Sequence, residues 1–133
     1  MMIAVICVTI IGLMVFGLGL LVSLRRGKPG GEMILFGIGN DPASPLAKAS
    51  RAHVNVCEYG PLMAIMMLYL GSAYPRPWVF GIIVFAVVAR IVQAIGFLTC
   101  ESLVKLYSVK IAGALLNYLS GALLCVAMAA SVM

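Results

Sequence analysis

Residues 50–64 read SRAHVNVCEYGPLMA. The chain is 64% hydrophobic and 10% charged, yet an arginine, a histidine, an asparagine and a glutamate crowd into this one short run. They open an apolar stretch that continues to about Gly71, which is helix length rather than strand length. Arg51, Asn55 and Glu58 follow i, i+4, i+7 spacing, so a helix carries them along one side. An ionised side chain at mid-membrane costs on the order of 2.5–3.5 kcal/mol. A polar stripe at the head of an apolar span therefore faces a partner, a cavity or a ligand. Pro61 follows Glu58 within a turn and has no N–H for the carbonyl of Cys57. That carbonyl is left free beside the stripe, and the helix is expected to bend there.

Working outward, the 133 residues have a mean hydropathy of +1.17, and a soluble domain keeps about a quarter of its residues charged. Four apolar segments account for the difference: 1–24, 47–74, 78–98 and 107–133. Each has about the twenty residues a helix needs to cross roughly 30 Å of hydrocarbon. Backbone groups in lipid must be satisfied internally, so the spans are helices. The expected fold is a single all-α integral membrane domain over residues 1–133, a bundle of four transmembrane helices. The first segment lacks a basic n-region, is too long for a signal peptide, and is followed rather than preceded by positive charge; it reads as a span that stays.

The net charge of +5 sits around the spans, with no basic stripe interleaved with aromatics, and this excludes nucleic acid as the partner. Arg25, Arg26, Lys28 and Lys48 lie between spans one and two, and Glu101, Lys105 and Lys110 around the third connection. The YPRP turn at 74–77 has Arg76 as its one charge. Positive-inside counting places the first and third connections in the cytoplasm, and both termini with the YPRP turn outside, where Tyr74 and Trp78 join an aromatic belt. Four cysteines (Cys7, Cys57, Cys100, Cys125) show no CxxC spacing and read as small packing residues rather than a disulfide framework or metal site. Cys100, near a span end, is the one cysteine whose position leaves reactivity open, against the packing reading that applies to all four. The nine methionines read as apolar filler. Glu101 and Lys105 read as a solvated pair on a helix surface.

Depth brings the polar residues together. Glu58 lies about 10 Å in from Arg51, Arg90 about 12 Å in from Leu98, and Asn117 about 10 Å in from Lys110. Three spans thus place a polar side chain at one level near one surface. One explanation is structural, an ion pair between Glu58 and Arg90 tying two spans together. The other is a pocket for a small ligand bearing both signs of charge. Arg51, Arg90 and Arg25 or Arg26 would meet carboxylates, Glu58 an ammonium, and Asn55 a peptide group. A single ion pair does not call for Asn55 and Gln93 as well. Gly113, Asn117 and Gly121 share a face that suits close helix packing in lipid.

The run RAHVNVCEYGP resembles the signature of the membrane-associated proteins in eicosanoid and glutathione metabolism (MAPEG), whose second span reads R-A-x-x-N-x-x-E-x-x-P. Arg51, Ala52, Asn55, Glu58 and Pro61 match it, and Tyr59 matches the leukotriene C4 synthase branch. Length, four spans, paired arginines after span one and an arginine in span three also agree. The resemblance implies a homotrimer with glutathione, as co-substrate, held between neighbouring subunits near the cytoplasmic side. It further implies that Arg51, Asn55, Glu58 and Tyr59 grip glutathione, with Arg25 or Arg26 and His53 supplied by the adjacent subunit; the pocket reading of the polar residues adds Arg90 and Gln93 to the same site. His53 by itself, on a different face from Arg51, reads as a packing residue.

The chain departs from the eicosanoid enzymes at three positions. Two tyrosine or histidine residues follow their span-three arginine by three and seven positions, where this chain has Gln93, which can still hydrogen-bond, and Phe97, which cannot. Their arginine near the start of span four, which stabilises the glutathione thiolate, falls on Val104 here. Lys105 is the nearest cation, and Tyr107 and Ser108 are the nearest hydroxyls. A thiol with a pKa of about 8.5 needs such a neighbour to act as a nucleophile near neutral pH. The expected function is glutathione-dependent transferase or peroxidase chemistry on a lipophilic electrophile from the bilayer, with Lys105 or a nearby hydroxyl beside the sulfur. The alternatives are a non-catalytic glutathione-binding membrane protein and a small multidrug-type transporter. The transporter is disfavoured because Glu58 comes with Arg51 and Asn55 and lies nearer one surface than the midplane.

Overall fold

A computed structural model of the chain describes residues 1–26 and 41–133; Lys28 and most of the first connection lie outside them. Four helices follow in order: α1 Met2–Arg26, α2 Pro45–Ala73, α3 Pro77–Thr99 and α4 Ser108–Ala130. All four are long and apolar enough to cross a membrane. Arg25 and Arg26 occupy the last turn of α1, where cations favour the negative end of the helix dipole. Ser44 caps α2 by accepting from the Ala47 N–H at 3.1 Å, with Pro45 preset for the first turn. Pro61 sits inside α2 without ending it. Arg76 and Pro77 open α3 after a short turn in which Arg76 stacks over Tyr74 at 5.3 Å and Tyr74 meets Trp78 edge-on.

α2 and α3 form the centre. α1 packs on both from one side and α4 from the other, so that α1 and α4 do not meet. The core is built from residues such as Val56, Met63, Met67 and Leu70 of α2 with Val79, Ile83 and Ala86 of α3. α1 adds Cys7 and Ile11, and α4 adds Leu124 and Ala127. The outer helices bury only a narrow stripe each. Phe16, at 80% exposure, and Leu115, at 65%, represent the broad apolar faces left for lipid or a neighbouring chain.

The α3–α4 crossing is closest at two glycines. An ideal Cβ on Gly96 would lie 2.7 Å from Lys110 Cα, and one on Gly113 would lie 2.6 Å from Gln93 Cα. Each helix thus offers a bare backbone to a site residue of the other. Gly121, expected to share this role with Gly113, has nothing within 4 Å of its Cβ position and packs against nothing within the described chain. The connection before α4 is tied back to the start of α2. Lys48 donates to the Cys100 carbonyl at 3.1 Å, and the Leu103 N–H donates to the Pro42 carbonyl at 3.0 Å.

Two smaller expectations meet different outcomes. Cys100 is 1% exposed, with its thiol donating to the Phe97 carbonyl, which agrees with a packing residue; Cys125 is the exposed cysteine. Glu101 and Lys105 are a solvated pair, but they sit on a non-helical connection.

Candidate functional site

The side chain that organises the site is Arg90, which is 2% exposed in the middle of the bundle. Its guanidinium donates to the Asn55 carbonyl at 3.2 Å and to Asn55 Oδ1 at 3.1 Å. It also lies over the Tyr59 ring, 4.9 Å from the centroid, and Tyr59 in turn meets Tyr118 of α4 edge-on. On the other side of the same level, Asn117 Nδ2 donates to Gln93 Oε1 at 3.1 Å. Polar groups from α2, α3 and α4 therefore converge; Arg90 and Asn117 do so as the depth count predicts, but α2 contributes Asn55 and Tyr59 rather than Glu58.

They enclose a cavity of about 90 Å³, lined by Arg51, Asn55, Tyr59, Arg90, Gln93, Phe97, Ala114, Asn117 and Tyr118. Two buried atoms of its lining residues have no partner among the described residues, the donor Arg90 Nε and the acceptor Asn117 Oδ1. Buried polar groups are nearly always paired, so this cavity suits a polar guest such as water or part of a ligand. A larger groove of about 410 Å³ adjoins it and shares Arg51, Gln93, Phe97 and Ala114. Leu103, Ile111 and Leu115 give that groove a mainly apolar wall, with Lys110 at its edge of α4.

The ion pair between Glu58 and Arg90 does not form. The one salt bridge among the described residues is Lys105–Glu101. At 100° per residue, Asn55 and Tyr59 are rotated about 60° and 100° away from Glu58. That rotation turns Asn55 towards α3 and lets the partly exposed Tyr59 meet Arg90, while Glu58 is left exposed on the outer side of α2; Arg51, also exposed, lies between the two directions and lines both the cavity and the groove. Both charges stand on an apolar helix with no hydrogen-bond or ionic partner among the described residues.

The remaining expected residues lie elsewhere. Arg25 donates to the Pro45 carbonyl, tying the end of α1 to the start of α2, and Arg26 is half-buried close by in the same turn. His53 is half-buried against Gly19 of α1, with Nε2 3.4 Å from Cys57 Sγ. None of the three lines the cavity or the groove. Lys105, expected beside the sulfur, lines neither of them. It is held at the surface by Glu101 at 2.9 Å; that hydrogen bond and charge raise the Lys105 ammonium pKa and lower that of the Glu101 carboxyl. Val104 is 79% exposed on the same connection.

The cation that lines the groove beside Arg51 is Lys110, which the sequence offers only as part of the charge count and as a depth marker. Its ammonium donates to the carbonyls of Leu103 at 2.8 Å and Lys105 at 2.7 Å. No sequence spacing reports this, because it depends on how the connection folds back over α4. Tyr118 was likewise missed; it is eight residues beyond Lys110, at helical spacing, and that is the only signal it gives.

These features define a four-helix membrane protein whose charged and amide side chains gather around a cavity close to one end of the bundle. A family model described as the MAPEG family matches residues 3–130, and the chain belongs to that family. The family includes glutathione transferases and related membrane proteins. No curated protein and no solved structure matches the chain.

Proposed function

We propose that this protein is a glutathione-dependent transferase or peroxidase acting on a lipophilic electrophile that reaches it from the bilayer. The observation that carries the reading is the pair Arg51 and Glu58, two opposite charges exposed on a membrane helix beside the Arg90 cavity. Left in lipid, each would cost on the order of 2.5–3.5 kcal/mol. A zwitterionic peptide covers both: its carboxylates meet Arg51, its ammonium meets Glu58, and its amides meet Asn55 and Gln93. In this reading the outer face of α2 is closed by a neighbouring subunit of a homotrimer. Arg25 or Arg26 and His53 of that subunit then complete the glutathione site. The end carrying Arg25, Arg26, Lys48, Lys105 and Lys110 is cytoplasmic, since the opposite end has Arg76 alone.

The chemistry starts from the thiolate. In conjugation, the sulfur bonds to the electrophilic carbon, the leaving group departs with its electron pair, and the thiol proton passes to water. In peroxide reduction, the sulfur takes the outer peroxide oxygen as the O–O bond breaks, and the alkoxide gains a proton. A second glutathione then condenses with the sulfenic acid to release disulfide and water. The apolar groove lined by Phe97, Leu103, Ile111 and Leu115 suits the hydrocarbon part of either substrate.

A non-catalytic glutathione-binding role is the second reading, favoured by the solvent-facing Val104 and the surface pairing of Lys105. Calorimetry in detergent with glutathione and with ophthalmic acid, its thiol-free analogue, separates the two. Tighter binding of glutathione supports an activated thiol; equal affinity supports binding alone. Binding of neither ligand refutes both.

A further inference from the structure

Resting on that reading, we infer that Lys110 is the cation that holds the sulfur of bound glutathione as a thiolate, taking the place that residue spacing gives to Lys105. Four observations converge on it. Lys110 lines the groove that adjoins the Arg90 cavity and shares Arg51 and Gln93 with it, whereas Lys105 lines neither space. Its ammonium has three N–H donors, and two are spent on the carbonyls of Leu103 and Lys105. The third remains for a guest, from a nitrogen already fixed in place. Its charge meets no carboxylate: among the described residues the one ion pair is Lys105–Glu101, on the connection outside the groove. Its backbone is also pinned, because the Lys110 Cα packs directly on Gly96.

The surrounding charges reinforce this position. Arg51 on α2 lines the same groove, Arg90 on α3 lies one cavity further in, and the first turn of α4 adds the positive end of its helix dipole. Glu101 is the one carboxylate on the adjoining connection, and Lys105 holds it. A cation on the first turn of a helix is unfavourable for the helix itself. A groove that must hold an anion turns that cost to use, since a positive neighbour within about 4–6 Å lowers a thiol pKa by roughly one to three pH units. The thiol proton leaves to water, and the retained thiolate attacks as described above.

The test is a spectroscopic titration of glutathione bound to the full-length protein in detergent, following thiolate absorbance in the ultraviolet against pH. The proteins compared are wild type, Lys110→Gln, Lys110→Arg and Lys105→Gln. Glutamine keeps two N–H groups for the Leu103 and Lys105 carbonyls but carries no charge, so the fold of the connection and the charge are tested separately. Calorimetry sets equal glutathione occupancy for each protein. The bound thiol in Lys110→Gln should titrate about one to three pH units higher than in wild type, and Lys110→Arg should restore the low value. An unchanged titration in Lys110→Gln at full occupancy overturns the assignment while leaving glutathione binding intact. A rise in Lys105→Gln instead returns the role to Lys105. Absence of glutathione binding in wild type removes the proposed function, and this inference with it.

Discussion

Replacing Gly113 with alanine tests the contact on which the site is assembled. The added Cβ would lie 2.6 Å from Gln93 Cα and 2.8 Å from its nitrogen, both backbone atoms that cannot swing aside. Ordinary carbon contacts are about 3.5–4.0 Å, so α4 must back away from α3 by about 1 Å at this point. Overpacking of this kind costs about 1–3 kcal/mol, and the gain in helix propensity from glycine to alanine returns up to about 1 kcal/mol. Gly81→Ala is the matched control: Gly81 is exposed on α3 and has nothing within 4 Å of its Cβ position. Unfolding of the two variants in mixed micelles, titrated with a denaturing detergent, should separate them by about 1–3 kcal/mol, with Gly113→Ala the less stable. The same displacement carries Gln93 away from Asn117, now 3.1 Å apart, so glutathione affinity should fall in Gly113→Ala and hold in Gly81→Ala. Equal stability of the two variants would falsify the close crossing and, with it, the placing of Gln93 and Lys110 across one groove.

The remaining predictions concern charge and sidedness. Arg51→Ala and Glu58→Gln should each weaken glutathione binding by roughly 1.5–3 kcal/mol by calorimetry, the worth of a charge-assisted hydrogen bond; wild-type affinity in both folded variants would move the ligand elsewhere. Arg90→Met should leave the Asn55 side chain without its donor and lower both stability and affinity; Asn117→Leu should do the same, because it takes away the Nδ2 donor of the buried Gln93 Oε1 along with the unsatisfied Asn117 Oδ1. On a background without the native cysteines, a membrane-impermeant thiol reagent should label Arg76→Cys from outside and Lys105→Cys only after the membrane is broken; the reverse pattern would turn the protein over. Glu101 is held below its ordinary carboxylate range by Lys105, so what the pair contributes is present at neutral pH and lost as pH falls through the lowered Glu101 pKa. Both groups are solvated, so Glu101→Gln should leave the unfolding midpoint at pH 7 unchanged, and a clear drop would show the pair to be more than a surface contact.

Much of this protein is written locally. Four runs of apolar residues of membrane-crossing length dictate four helices, because lipid offers no other partner for the backbone. The i, i+4, i+7 stripe of Arg51, Asn55 and Glu58, and the shared depth of Arg90 and Asn117, were enough to anticipate a polar cluster near one end. Which member of the stripe meets Arg90 was not legible. A difference of about 60° around α2 decides that Asn55 turns inward and Glu58 outward, and only the packing of α2 against α3 sets that angle. The choice between Lys105 and Lys110 is of the same kind. By position along the chain Lys105 is closer to the expected site, but residues 100–107 form no helix, so helical spacing carries no information across them. The connection folds back onto the start of α2, Glu101 takes Lys105 at the surface, and Gly96 lets Lys110 come against α3 beside the groove. Composition and periodicity determine that this chain crosses the membrane four times and gathers charge near one face. The helix rotations and the path of one short connection, settled by side-chain packing between distant residues, decide which of those charges line the cavity.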